Sequence, residues 1–112
     1  MAFQWTLMDF SKLGGLVPAV IQDRYSHEVL MVGFMNQEAL DRTRETGYVT
    51  FFSRTRNALW TKGETSGNRL QVAEMLVDCD EDTILVKVTR LGDGNVCHTG
   101  QRSCFHRTLN ER

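Results

Sequence analysis

The sequence predicts an α+β fold, a single strand-dominated domain with one main helix. Three observations predict it. Short β-branched runs alternate with period two, one stretch carries helix-capping signals at both ends, and the nine glycines mostly punctuate turns in a chain with a single proline, Pro18. Taken in order, Val17–Arg24 and Glu28–Phe34 are β-branched-rich runs separated by a polar turn, which reads as a hairpin. Asn36 then offers an N-cap to a helix over 37–46. Ala39, Leu40 and Thr43 supply its inner face, and Gly47 suits the left-handed residue that ends it. Tyr48–Ser53 is aromatic and β-branched, hence a further strand. Leu70, Val72, Met75 and Val77 alternate except for one slip between 72 and 75, the mark of a strand with a bulge. Ile84, Val86 and Val88 alternate with Leu85, Lys87 and Thr89 as a half-buried strand, and Gly92-Asp93-Gly94-Asn95 is a turn.

Composition narrows the function classes. The chain has 112 residues, 41% hydrophobic and 24% charged, with a formal net charge of −1 and three cysteines. That length suits one domain spanning 1–112, since domains cluster at roughly 100–150 residues. It also suffices for a core without the disulfide staples common below about 40 residues. A near-zero net charge speaks against non-specific nucleic-acid binding, which needs a basic surface to neutralise phosphates. The longest apolar runs, Val17–Ile21 and Val29–Val32, fall far short of the roughly 20 residues of a membrane span. No basic start leads into an apolar segment of secretory type. An odd cysteine count without an export signal points to free thiols or metal ligands in the reducing cytoplasm. Phe3, Trp5, Leu7 and Phe10 are too many large apolar groups for a free tail, so the N-terminal stretch is expected to pack on the domain or on a partner subunit.

The polar residues bunch in three places. The first is Asp78-Cys79-Asp80-Glu81-Asp82, four carboxylates in five residues, unfavourable unless a positive group sits among them. On a straight strand Asp78, Asp80 and Asp82 share a face at spacings of about 7 Å, too wide to touch one ion directly. A turn or intervening water is needed, and such hard oxygen ligands suit Mg²⁺ or Ca²⁺. An EF-hand loop is excluded, because its glycine position holds Thr83 and its terminal glutamate position Thr89. The bland alternative is an acidic solvated turn. The second segment runs from Cys97-His98 to Cys104. Its seven-residue separation is wider than the roughly two-to-four-residue gap of zinc fingers, so the spacing is only weakly diagnostic. With Cys79 it offers three thiols, a catalytic arrangement if the fourth position stays open and a structural one if His98 or His106 closes it. Buried cysteines also serve as plain small hydrophobes.

The third segment runs from Ser53-Arg54-Thr55-Arg56 through Trp60 to Lys62-Gly63-Glu64-Thr65-Ser66-Gly67-Asn68. Arginine outnumbers lysine ten to three in the chain, and guanidinium forks match phosphate oxygens in pairs. Small residues after Lys62 let backbone N–H groups approach an anion, although no Walker pattern is present. If Ser53–Lys62 is one strand, Arg54, Arg56 and Trp60 share a face. The alternative is an ordinary solvated strand face and loop.

Together, Ser53-Arg54-Thr55-Arg56, Leu59-Trp60-Thr61-Lys62-Gly63-Glu64-Thr65-Ser66-Gly67, Asp78-Cys79-Asp80 with Asp82, Cys97-His98-Thr99-Gly100 and Ser103-Cys104-Phe105 closely resemble phosphoribosyl-AMP cyclohydrolase of histidine biosynthesis. The resemblance runs in order from about Gly33 to Phe105. Family members commonly carry a Gly-Pro pair shortly before the Cys-His segment, where this chain has Gly94-Asn95-Val96; the departure lies in a turn and touches no candidate ligand. Some relatives carry a fused pyrophosphohydrolase domain, for which 112 residues leave no room. The resemblance implies hydrolytic opening of the adenine ring of N1-(5-phosphoribosyl)-AMP between N1 and C6. It implies an intertwined homodimer in which zinc is held by Cys79 of one subunit and Cys97 and Cys104 of the other. Magnesium is implied at Asp78, Asp80 and Asp82.

The chemistry is consistent with those implications. N1-ribosylation leaves C6 of adenine electron-poor, and zinc lowers the pKa of its water toward neutrality. Three thiolates weaken zinc as a Lewis acid, so a nearby cation or base matters. His98 is the first candidate for proton transfer, with an unperturbed pKa of about 6.5, and Glu64 the second. Against that, His98 can simply orient a ligand or fill the fourth zinc position. The implied substrate carries two phosphates. Arg54, Arg56, Lys62, Ser66 and Gly67 are candidates for one, while magnesium on the aspartates neutralises the other or sits near the purine. Trp60 either stacks on the base or serves the core. A competing class is a non-catalytic, zinc-stabilised nucleotide-binding module. A nucleoside deaminase is set aside, because its His-x-Glu and Pro-Cys-x-x-Cys signatures are absent.

Overall fold

Strands form where β-branched and aromatic residues recur in the computed structural model, which describes residues 8–110. Strands β1 (Val17–Asp23) and β2 (Val29–Met35) make the expected hairpin, β5 (Leu70–Val77) and β6 (Ile84–Arg90) a second. They join in one four-stranded sheet of order β2-β1-β6-β5, whose central β1–β6 pairing is parallel. The slip in β5 is a bulge: Val72 faces Val88, Glu74 faces Lys87, and Ala73 is the extra residue between them.

Helix α1 (Gln37–Thr46) carries both predicted caps. The Asn36 side chain accepts the Ala39 N–H at 2.8 Å, and Gly47 closes the helix at φ 78°, giving its N–H to the Thr43 carbonyl. Ala39, Leu40 and Thr43 are its buried residues. The Thr43 hydroxyl donates to the Ala39 carbonyl and accepts the Thr50 N–H at 3.0 Å, which ties the helix to the next strand.

That strand, β3 (Thr50–Ser53), pairs with β4 (Ala58–Thr61) in a separate two-stranded ribbon. A continuous strand over Ser53–Lys62 does not form, so Arg54, Arg56 and Trp60 do not share a strand face. The chain turns instead at 54–57, where the Ser53 hydroxyl accepts the Arg56 N–H and Asn57 takes a left-handed φ of 52°, which asparagine tolerates well. Trp60 therefore pairs with Phe51 across the ribbon, ring centroids 5.2 Å apart.

The core lies between the inner face of the sheet, with Val17, Ala19, Ile21, Val86 and Val88 fully buried, and the layer made by α1 and Phe51. Met8 and Phe10 pack partly buried against it, whereas Phe3, Trp5 and Leu7 lie outside the described residues. On the outer face, register aligns Val32 with Val20, Val20 with Leu85, and Leu85 with Leu76. One apolar row therefore crosses all four strands, its ends 43% and 40% exposed at Val32 and Leu76. No helix among the described residues is long and apolar enough to cross a membrane.

Candidate active site

The acidic segment is a tight turn between β5 and β6. Asp78 Oδ1 accepts the N–H groups of Asp82 and Thr83, each at 3.1 Å, and Glu81 takes φ 64°. This curl replaces strand spacing with proximity: one oxygen from each of Asp78, Asp80 and Asp82 lies within 4.8 Å of the others. The positive group that such crowding demands is Lys12, whose ammonium lies 2.9 Å from Asp82 and 3.2 Å from Asp80. The Lys12 bond holds the Asp82 carboxyl at about 2, while the bond shared with Asp82 pushes the Asp80 carboxyl up. The N-terminal segment is anchored here a second time, by the Asp9 N–H on the Glu81 carbonyl at 2.7 Å.

Cys79 is exposed in the same turn and forms no compact ligand group with the other two thiols. Among the described residues, the aspartates are the only group of three or more His, Cys, Asp or Glu ligand atoms that could surround one ion. Cys97 and Cys104, by contrast, lie close enough for each thiol to shift the ionisation of the other. Their loop is stitched to itself and to β2. Cys97 N–H reaches the Gln101 carbonyl at 3.0 Å, Cys104 N–H the Leu30 carbonyl at 2.7 Å, and the Ser103 hydroxyl the Val29 carbonyl at 2.8 Å. The Thr99 hydroxyl, 3.0 Å from the Cys97 sulfur, draws that thiol's pKa down, whereas burial pushes Cys104 up. The Lys62 charge favours the thiolate at both.

A cleft of about 360 Å³ opens beside Cys97. Trp60, Lys62, Gly63 and Ser66 line it from β4 and the turn that follows; Cys97 and His98 line it from the opposite segment. Trp60 packs at 42° against Phe51 and also borders the cleft, with the Lys62 ammonium 5.5 Å from its ring centre. Not every candidate meets there. Glu64 is exposed on the turn whose N–H closes on Thr61, and Gly67 donates its N–H to Gly63. Arg54 and Arg56 sit on the separate β3–β4 turn, Arg54 stacked 4.1 Å over the Phe34 ring. His106 is exposed in the tail.

Sequence reasoning misses two contributions. Asn68, Asp93 and Asn95 also border the cleft, and the only local sign is an asparagine following Gly67 in a glycine-bracketed turn. Lys12 carries no sign at all, because its partners are 68 and 70 residues away.

The chain is similar in sequence to known proteins over most of its length. The family described as phosphoribosyl-AMP cyclohydrolase matches residues 31–106. The chain is 58% identical over 102 residues to the phosphoribosyl-AMP cyclohydrolase of Desulfatibacillum aliphaticivorans, covering 91% of this chain and 81% of the relative. It is 60% identical over 102 residues to that of Solibacter usitatus, covering 91% and 80%. It is also 59% identical over 98 residues to the histidine biosynthesis bifunctional protein HisIE of Vibrio vulnificus, covering 88% of this chain and 46% of that longer relative.

Proposed function

The chain belongs to the phosphoribosyl-AMP cyclohydrolase family, and on that premise we propose how its residues open the adenine ring of N1-(5-phosphoribosyl)-AMP between N1 and C6. It is an enzyme of histidine biosynthesis. The observation that carries the assignment of roles is one cleft lined by an aromatic face, a cation and a thiol, those of Trp60, Lys62 and Cys97.

Trp60 offers its partly exposed face to the purine, and Lys62 and Ser66 take a phosphate, while Gly67, its N–H held by the Gly63 carbonyl, shapes the turn that presents them. Arg54 and Arg56 add guanidiniums for phosphate from the β3–β4 turn. His98, exposed and bordering the cleft beside Cys97, carries the proton between water and the ring nitrogen; Glu64, outside the cleft, is the second candidate. The Lys62 charge offsets that of the neighbouring thiolates.

The donor chemistry fits two metals. Cys97 and Cys104 are neighbouring soft sulfur donors suited to zinc, with Cys79 of the partner subunit as the third, since Cys79 joins no such group among the described residues of its own chain. Zinc at that position supplies a water acidic enough to be deprotonated near neutral pH. Asp78, Asp80 and Asp82 offer hard oxygens suited to magnesium. The Val32–Val20–Leu85–Leu76 row supports a homodimer, because it is a continuous apolar surface and a shallow apolar depression on the same face reaches Asp78, next to Cys79. Free thiols fit a cytoplasmic setting.

The test is turnover of phosphoribosyl-AMP by the wild-type chain and by Cys97→Ser, with bound metal measured in both. Loss of turnover together with loss of stoichiometric zinc is expected. Undiminished turnover in a zinc-free Cys97→Ser chain overturns the metal-assisted mechanism.

A further inference from the structure

The walls of the cleft come from two separate segments, the turn after β4 and the turn after β6, and one side chain of the first bonds twice to the second. Asn68 Oδ1 accepts the Asp93 N–H at 3.1 Å, and its Nδ2 donates to the Asn95 carbonyl at 3.3 Å. On its own side, Asn68 ends the turn that Lys62 opens, a turn closed by the Gly67 N–H on the Gly63 carbonyl at 2.7 Å. On the far side, Asn95 leads directly into Val96 and Cys97. We propose that Asn68 is a positioning residue for the cyclohydrolase reaction, its amide clamp setting the separation of the Lys62 wall from the Cys97–His98 wall.

The surroundings admit little else at that position. A Cβ at Gly63 would strike the Asn68 carbonyl, and one at Gly92 would strike Asn68 Oδ1; both glycines take positive φ, 78° and 67°. Gly92 therefore closes on the side-chain amide and Gly63 on the Asn68 backbone. Both bonds require a short side chain that donates and accepts at once. Aspartate keeps the acceptor for Asp93 N–H but turns an acceptor toward the Asn95 carbonyl, alanine loses both bonds, and glutamine adds a methylene where Gly92 leaves no room. The neighbouring Leu91 N–H on the Arg69 carbonyl, at 2.9 Å, holds the base of the two segments without the side chain, so the fold survives loss of the clamp while the rim loosens.

The inference rests on the assigned cleft, and its test separates the two. Asn68→Asp and Asn68→Ala are compared with wild type for kcat and KM, for melting temperature, and for the iodoacetamide labelling rate of Cys97 in the purified full-length chain, read by peptide mass. Both variants are expected to lose about 10- to 100-fold in kcat/KM, chiefly in kcat, since misplacing a catalytic wall by about 1 Å costs about that much. They should also label Cys97 several-fold faster while melting within a few degrees of wild type. Wild-type labelling and kinetics in Asn68→Asp overturn the proposal. So does a rise in KM with labelling unchanged, which makes Asn68 a substrate contact, or failure of both variants to fold, which makes it a structural residue. A wild-type chain without turnover sinks the functional reading instead, and the labelling rates still decide the clamp.

Discussion

Arg90 Nε lies 2.8 Å from the Oδ2 of Asp23, a carboxylate only 5% exposed, and this pair joins the ends of the parallel strands β6 and β1. The same guanidinium donates to the Gly94 carbonyl at 2.7 Å, so the turn leading to Cys97 hangs from a charge pair at the sheet's edge. Asp23 Oδ1 meanwhile accepts the N–H groups of Tyr25 and Ser26, at 2.8 and 2.9 Å.

Acid should release that anchor. Burial works to raise the Asp23 carboxyl, but the backbone bonds and Arg90 outweigh it and hold the group at about 2. A depressed carboxylate stabilises the folded state above its unfolded pKa of about 3.9, and that contribution, about 2 kcal/mol, is lost as pH falls toward 2. Urea unfolding of wild type and Asp23→Asn is expected to differ by about this amount at pH 7 and to converge near pH 2. A difference that persists unchanged to pH 2.5 would contradict the assignment.

Gly33 is where β2 passes under Phe51. A Cβ there would lie 2.5 Å from the Phe51 ring, which is 1% exposed and has nowhere to go. Gly33→Ala is expected to cost about 1–3 kcal/mol by overpacking, and the penalty should shrink in a Phe51→Leu background. Additive losses in that double-mutant cycle would place the strain elsewhere.

Lys12 already occupies the aspartate turn as a tethered cation. Because these charges are exposed, Lys12→Ala should leave stability nearly unchanged, yet raise divalent affinity several-fold by removing a competing positive charge. Manganese titration followed by electron paramagnetic resonance reads this directly. Equal affinity in both proteins would show that Lys12 yields to the ion at no cost.

The proposed sharing of thiols across subunits has a complementation test. Cys79→Ala and Cys104→Ala chains are each expected to be inactive alone. Mixed after subunit exchange they should regain about a quarter of wild-type turnover, because each heterodimer keeps one complete ligand set. No recovery, with exchange verified by mass, would mean that each site belongs to one chain.

Interactions spanning a few residues are legible in the sequence. The helix over 37–46, its Asn36 and Gly47 caps, its buried Ala39, Leu40 and Thr43, and the bulge between 72 and 75 all follow from patterns that close within about one turn or one strand. The turn at 54–57 is harder to read and passes for strand, because Ser53–Lys62 carries no glycine or proline and Asn57 supplies the left-handed residue instead.

What the sequence determined by itself was the inventory: strands, helix, acid cluster, thiols and the basic, glycine-bracketed turn. Local backbone preference and side-chain alternation are written in neighbouring residues. Only the tertiary structure decided which of them meet. The parallel pairing of β1 with β6 brings Asp23 to Arg90 across 67 positions, and the folded edge brings Lys12 to Asp80 and Asp82 and Asn68 to Asp93 and Asn95. Such contacts depend on the packing of the whole sheet, which no single segment encodes.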